Sequence, residues 1–204
     1  QTNSYIKIFN ERKKIRVLKG VIDEINKTNS STILDFGCGD LTSFYTIAKK
    51  IKKNKKKIYY ACDISLSRIF PGVNFLKKKG MSLKNKFFFV NKNHKLPFAD
   101  SSIDIIVTCH SIEPNKTKAS LIIKELYRVA KKKLILLEPD NILVKNKYPK
   151  KLERKILLRM RKNNYVMDIG NILKKFKLNM ISDFFPDYID YVKHYCSKVD
   201  LSDW

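Results

Sequence analysis

Thr32-Ile33-Leu34-Asp35-Phe36-Gly37-Cys38-Gly39 is the stretch on which the reading of this chain turns. Its apolar run predicts a short buried strand that ends directly in a glycine turn. Thr42 to Lys53 then carries Phe44, Ile47, Ala48 and Ile51 on one helical face. In a strand–turn–helix unit, glycines let the backbone approach a ligand, and the first helical turn offers unpaired N–H groups. A second apolar run, Ile58-Tyr59-Tyr60-Ala61-Cys62, ends at Asp63, about 24 residues after Gly39. An acid at that place can accept hydrogen bonds from both hydroxyls of a ribose. The spacing therefore predicts a nucleoside-binding unit.

Outward from this unit the alternation continues. A helix around Ser65 to Lys79 precedes the strand Phe87–Val90, and Ile103 to Thr108 is a fourth strand. Lys118 to Ala130 reads as a helix and Leu134 to Leu137 as a fifth strand. Apolar strands separated by helices imply parallel βαβ crossovers, hence an α/β sheet covered on both faces. Tyr5 to Asn26 reads as one amphipathic helix with Ile8, Ile15, Leu18, Ile22 and Ile25. Beyond residue 140 we expect a basic helical insert over 141–165, a helix near Asp168 to Phe176, and strands around Asn179–Asp183 and Asp190–Tyr195. The 204 residues are expected to form a single Rossmann-like domain: an N-terminal helix (1–28), a cofactor-binding core (30–140), the insert or lid (141–165), and a C-terminal helix and strands (166–204).

Composition narrows the function. No 18-residue apolar run is present, so no membrane span is expected. Cys38, Cys62, Cys109 and Cys196 show no C-x-x-C spacing, which predicts small buried thiols in a reducing cytoplasm and no metal site. No signal peptide is visible, and a chain starting at Gln1 is consistent with trimming. The formal charge of +24 suggests a polyanion, yet it rests on 36 lysines and only 7 arginines. Lysine, asparagine and isoleucine together make up about 37% of the chain, a bias across chemically unrelated residues that reads as composition. The lysine runs at 52–57, 77–79 and 131–133 read as solvated turns. His94 reads as a loop residue and His194 as a strand-face residue, while the aromatics of Phe184–Tyr195 read as packing.

Asp35 refines the ligand. A carboxylate beside the glycine turn would repel a pyrophosphate but could recruit an ammonium group. That chemistry favours a cationic nucleoside bearing an amino-acid tail. With Ala61-Cys62-Asp63-Ile64-Ser65, Leu96-Pro97-Phe98-Ala99-Asp100-Ser101-Ser102-Ile103-Asp104, Glu125-Leu126-Tyr127-Arg128-Val129 and Leu136-Leu137-Glu138-Pro139, the glycine-turn segment resembles the class I S-adenosylmethionine-dependent methyltransferases over about residues 30–140.

The resemblance implies a seven-stranded, mostly parallel sheet in the order 3-2-1-4-5-7-6, and S-adenosylmethionine as cofactor. It implies that Asp35, Gly37, Cys38 and Gly39 line the methionine part, that Asp63 holds the ribose and that Ile64 packs on adenine. Lys92 stands where the family often has an acid for the adenine amine, leaving Asn93 or a main-chain carbonyl to accept that bond. Leu41 stands where a third glycine is common, and Lys131-Lys132-Lys133 replaces a Gly-Gly turn. His110 falls between cofactor and substrate mouth. His110 and Glu113 are the candidate general bases by chain position, with Asp140 behind them.

The expected reaction is transfer of a methyl group to oxygen, nitrogen or carbon of a small molecule. The concentration of Arg154, Arg159 and Arg161 in the insert suggests an anionic acceptor. Two alternatives stand beside this: a nucleic-acid methyltransferase, and a non-catalytic partner that keeps the fold. The sequence leaves the oligomeric state open.

Overall fold

The computed structural model describes residues 5–52, 57–115, 117–138, 150, 154, 158, 161–162 and 169–175. A 3-10 turn (Tyr5–Ile8) leads into α1 (Glu11–Val17) and α2 (Lys19–Lys27). The alternating part follows as β1 (Thr32–Phe36), α3 (Thr42–Lys50), β2 (Ile58–Asp63), α4 (Leu66–Lys78), β3 (Lys86–Val90), β4 (Ile103–Cys109), α5 (Ala119–Val129) and β5 (Ala130–Leu137). A short α6 covers Ile169–Lys175.

The strands pair in the order β3-β2-β1-β4-β5, all parallel. Among the described residues the sheet thus has five strands rather than the expected seven. The two further strands fall outside the described residues, as do His194, Cys196, Asp140 and the aromatics of 184–195. Of the insert, Lys150, Arg154, Leu158, Arg161 and Lys162 are helical and exposed, and its other positions, Arg159 included, are not among those described.

Alternation of side chains along the strands divides the core between two layers. Ile33, Ile105, Val107 and Ile135 meet Val17, Leu18, Val21, Ile22 and Ile25 of the N-terminal helices and Ile47 of α3. Ala61 on the same face meets Phe44 of α3 and Ile69, Phe75 and Leu76 of α4. The opposite face buries Leu34, Cys62 and Ile106 under Ile122, Ile123 and Leu126 of α5 and Ile169 of α6. Because β2 and β4 flank β1 on opposite sides, their connections leave the sheet in opposite directions and open a crevice at the carboxyl ends.

Three local expectations are corrected. The N-terminal segment is not one helix: Asn10 caps α1 by accepting from the Lys13 N–H at 3.1 Å, and Leu18 (ψ 6°) separates α1 from α2. The lysines at 131–133 lie in β5 rather than in a turn, where Lys132 pairs with Asp104 at 3.1 Å and Lys133 with Glu24 at 2.8 Å. Lys57 is buried and donates to Ser30 Oγ, whereas 53–56 lie outside the described residues.

Leu41 takes the positive φ (61°) that a glycine would take freely, and its side chain is wholly buried. That turn lies against Gly72 of α4: a Cβ there would stand 2.8 Å from the Asp40 carbonyl and 3.0 Å from Leu41 Cγ. The helix thus needs its glycine because the backbone of the turn and the Leu41 side chain pack directly on it. Gly72→Ala should destabilise the fold by about 1–3 kcal/mol through overpacking, read from urea unfolding. An unchanged midpoint would refute this account of Gly72.

Candidate active site

At the end of β1 the chain turns through Gly37 (φ 70°) and Gly39 (φ 55°). The N–H groups of Gly37 and Cys38 both donate to the Cys62 carbonyl, at 2.8 and 2.9 Å, which fastens the turn to β2. Asp63 completes the attachment: one carboxylate oxygen accepts from the Gly39 N–H at 2.8 Å, the other from the Ser65 N–H at 2.9 Å. Each oxygen keeps a second lone pair for a further donor.

Gly37 is already required by the protein itself, and Gly39 is tightly overlaid. A Cβ on Gly37 would fall 2.2 Å from Ser111 Cβ, so the segment after β4 packs directly on the turn. A Cβ on Gly39 would meet the Arg68 guanidinium at 2.5 Å. Arg68 lies over the turn from the first turn of α4, and nothing in its sequence context singled it out.

Asp35 speaks more directly for a ligand. It lies on the central strand, 3% exposed, and its Oδ2 has no hydrogen-bond partner. Burial pushes its carboxyl pKa up to about 7, with Asp63 adding to the rise and Lys14 opposing it. A buried acid with an open oxygen at the mouth of a crevice suits a cationic group. Cys38 and Cys62 offer no such chemistry: burial raises both thiols, Cys62 to about 12.

The other wall comes from β4 and β5. His110 follows β4 at φ 55°, its N–H donating to the Leu137 carbonyl at 3.0 Å. His110 Nδ1 lies 3.0 Å from Glu113 Oε2, so the structure joins the two candidate bases in one pair. Burial lowers the imidazole pKa, but the charge and hydrogen bond of Glu113, helped by Glu138, carry it above its ordinary value. Glu138 was legible only as part of a resembling segment, yet it organises this wall. Its carboxylate accepts from the N–H groups of Ser111 (2.9 Å), Ile112 (3.2 Å) and Glu113 (3.2 Å).

The remaining candidates sit on the rim. Ile64 is 67% exposed beside Leu66, an apolar lip next to Asp63. Asn93 is exposed, and its carbonyl accepts from Asn91 Nδ2 at 2.6 Å. The Asn91 N–H donates to the Asp63 carbonyl, which keeps this loop beside β2. Two other resembling segments prove to be a clamp. Arg128 binds Glu125 through two nitrogens and reaches Asp100 and the Phe98 carbonyl, while Glu125 accepts from the Leu96 N–H. Among the described residues no cluster of His, Cys, Asp or Glu could hold a metal ion, and no helix is long and apolar enough to cross a membrane.

Folded Asp35 keeps its proton to about pH 7, whereas an unfolded aspartate releases it near its ordinary value of 3.8. The folded state binds more protons between those values, so its stability should fall as pH rises from about 4 to about 7, then level. Asp35→Asn should make that fall shallower, by up to about 1.4 kcal/mol per pH unit, in urea unfolding across the range. Equal slopes in parent and variant would contradict the protonated Asp35.

The sequence profile of a family described as "Methyltransferase domain" matches residues 33–133. Among solved structures, the chain is similar to a SAM-dependent methyltransferase from Aquifex aeolicus, at 21% identity over 82% of this chain and 87% of that one, with a TM-score of 0.56. It is similar to a protein of Methanococcus maripaludis (16% identity, 86% and 81% covered, TM-score 0.60). It also resembles the PH0226 protein of Pyrococcus horikoshii (24% identity, 66% and 61% covered, TM-score 0.52). Other matched chains are longer still, one of them covered over 50% of its length. No curated protein is detectably similar in sequence. At these identities the solved structures establish the fold, while the profile covers the glycine turn, Asp63, the Leu96–Asp104 segment and the Glu125–Arg128 clamp. Residues 33–133 thus carry a methyltransferase domain, on a fold shared with these solved structures.

Proposed function

We propose that this enzyme methylates a small-molecule acceptor held between the glycine turn and the His110–Glu113 wall. The observation that carries this reading is the sign of the charge around the mouth. Asp35, Asp40, Asp63, Glu113 and Glu138 are gathered there, against Lys14, Arg68 and His110. Acids thus outnumber bases about the glycine turn, which disfavours a phosphodiester there. Five lysines are engaged elsewhere: Lys27 and Lys133 pair with Glu24, Lys49 with Glu11, Lys132 with Asp104, and Lys79 lies over the Phe9 and Phe75 rings. Arg154 and Arg161 of the insert are the groups that would meet an anionic acceptor, and the cytoplasm is the compartment we infer.

The residues present fit the cofactor. Asp35 would take its ammonium, the open lone pairs of Asp63 its ribose hydroxyls, Ile64 its adenine face, and the Asn93 side chain the adenine amine. Cys38, beside the turn glycines, would contribute its backbone and small side chain to the methionine end. Bound S-adenosylmethionine supplies a methyl carbon already activated by a sulfonium. The protein has only to align the acceptor, exclude water and, for a protonated acceptor, remove a proton. When the His110 Nδ1–H donates to Glu113, Nε2 is the basic nitrogen.

Incubation with S-adenosylmethionine labelled in its methyl group, against pooled small molecules and against RNA, tests the reading. Label in a small molecule supports it. Label in RNA, with affinity falling steeply with salt as six or more counterions are released, would favour a nucleic-acid substrate instead. Asp63→Ala should weaken binding of S-adenosylhomocysteine by roughly 1.5–3 kcal/mol in calorimetry. If His110 is the base, the rate should climb through a raised histidine pKa, and Glu113→Gln should move that limb to lower pH. A limb that stays in place would remove His110 from the reaction.

A further inference from the structure

The two ends of the sheet differ in charge. The segments that lead into β1, β2 and β3, residues 28–31, 51–57 and 79–85, hold seven lysines and no acid. Those that leave β1, β2 and β4 at the mouth, residues 37–41, 64–65 and 110–118, hold two lysines and two acids. An excess of lysine from composition alone would fall on both ends alike. In a parallel sheet each crossover helix returns the chain, so its last turn lies at the amino ends of the strands. Lys49 and Lys50 close α3 there, and Lys77 and Lys78 close α4. Cations at helix C-termini answer the helix dipole. Lys52, Lys84 and Lys131 lie outside the helices, so the dipole does not account for them.

The acids at this end are already engaged, Glu24 by Lys27 and Lys133, Asp100 by Arg128, and Asp104 by Lys132. Lys50, Lys52, Lys77, Lys78, Lys84 and Lys131 are exposed, and none of them pairs with an acid among the described residues. They spread along the sheet from β3 to β5, four strand spacings or about 19 Å. An aromatic surface opens beside them. β3 is an outer strand of the described sheet, and its second residue, Phe87, is 52% exposed. The Phe87 ring stacks on its register partner Tyr60, with centroids 5.5 Å apart and planes inclined by 26°. A ring held flat in this way offers its outer side to another flat group.

Lysines beside an exposed ring suit a single strand of nucleic acid: ammonium groups follow the phosphates and the ring takes a base. Lysine is a point charge, which tracks a phosphate backbone without reading its sequence. A lipid surface would need apolar side chains at the loop tips. Here the apolar residues of the lead-in segments, Ile51, Met81 and Leu83, pack inward. We propose that this amino-end face docks a single-stranded nucleic acid, with the six lysines on its phosphates and Phe87 against a base. Strands of five to eight residues hold the face about 20 Å from the crevice. The docked strand is thus a partner of the enzyme and not its methyl acceptor.

Fluorescence anisotropy of a labelled oligouridylate of about 12 nucleotides, titrated with the full chain at several salt concentrations, tests this. Six phosphate contacts set the slope of log affinity against log salt at about −4. Lys52→Gln, Lys84→Gln and Lys131→Gln combined should weaken binding at least tenfold and flatten the slope by about 2. Lys7→Gln, Lys92→Gln and Lys118→Gln combined remove the same charge at the mouth end and should bind as the unmodified protein does. All six of these side chains are exposed, so both variants keep the fold. Phe87→Leu should bind at least threefold more weakly with its slope unaltered. Absence of binding, or a slope flatter than about −2, overturns the inference. Equal losses in the two triple variants overturn it too, since net charge alone would then act. So does a Phe87→Leu protein that binds as before. Binding to phosphatidylserine vesicles but not to the oligonucleotide would assign the face to a membrane instead.

Discussion

The central strand has neighbours on both sides. Asp35 pairs in register with Ala61 of β2 and Val107 of β4, and helices cover both faces of the sheet, so its carboxylate cannot reach bulk water. A residue at that position must be apolar, or be neutral, or have a partner. This chain keeps a carboxyl there, raises its pKa to about 7 and leaves one oxygen open. Much of the surrounding structure serves that arrangement. Asp63 and the Cys62 carbonyl hold the turn beside it, Lys14 brings a compensating charge, and Glu138 fixes the wall opposite. Stability is given up locally to keep an unpaired carboxyl oxygen in this place.

How far the sequence revealed this depends on the physics behind each feature. The strands were legible because burial on both faces leaves near-continuous apolar runs, as in Ile103–Val107, and the crossovers followed from the helices between them. Asp35, Asp63, His110 and Glu113 were legible because their positions at strand ends are fixed by the chain's own punctuation. The break at Leu18 was not, since the apolar period runs through it without interruption.

Lys14 was hidden by its background: one lysine among 36 carries no signal by composition. Its placing did carry one, since it stands three and four residues before Val17 and Leu18, on the buried stripe. The lysines of 131–133 misled for the opposite reason. A run of like charges reads as solvated turn, but in a strand alternate residues point to opposite faces, so Lys132 and Lys133 reach different acids. Arg68 and Glu138 act through contacts with residues distant in sequence, Gly39 and the Ser111–Glu113 backbone, which no local pattern specifies.

The hydrogen bonds that build the two walls differ in reach from the one that joins them. Asp63 meets Gly39 across 24 residues, and Glu138 meets Ser111 across 27, so each wall closes within its own stretch of chain. Asp104 meets Thr32 across 72 residues, where β4 comes to lie beside β1. Closing a loop about three times as long costs only about 1 kcal/mol more in chain entropy, yet such pairings form late. The crevice thus runs along a seam between two halves that fold locally, and it exists only once they have docked. Partial unfolding along that seam would separate Asp35 and Asp63 from His110 while leaving both halves intact.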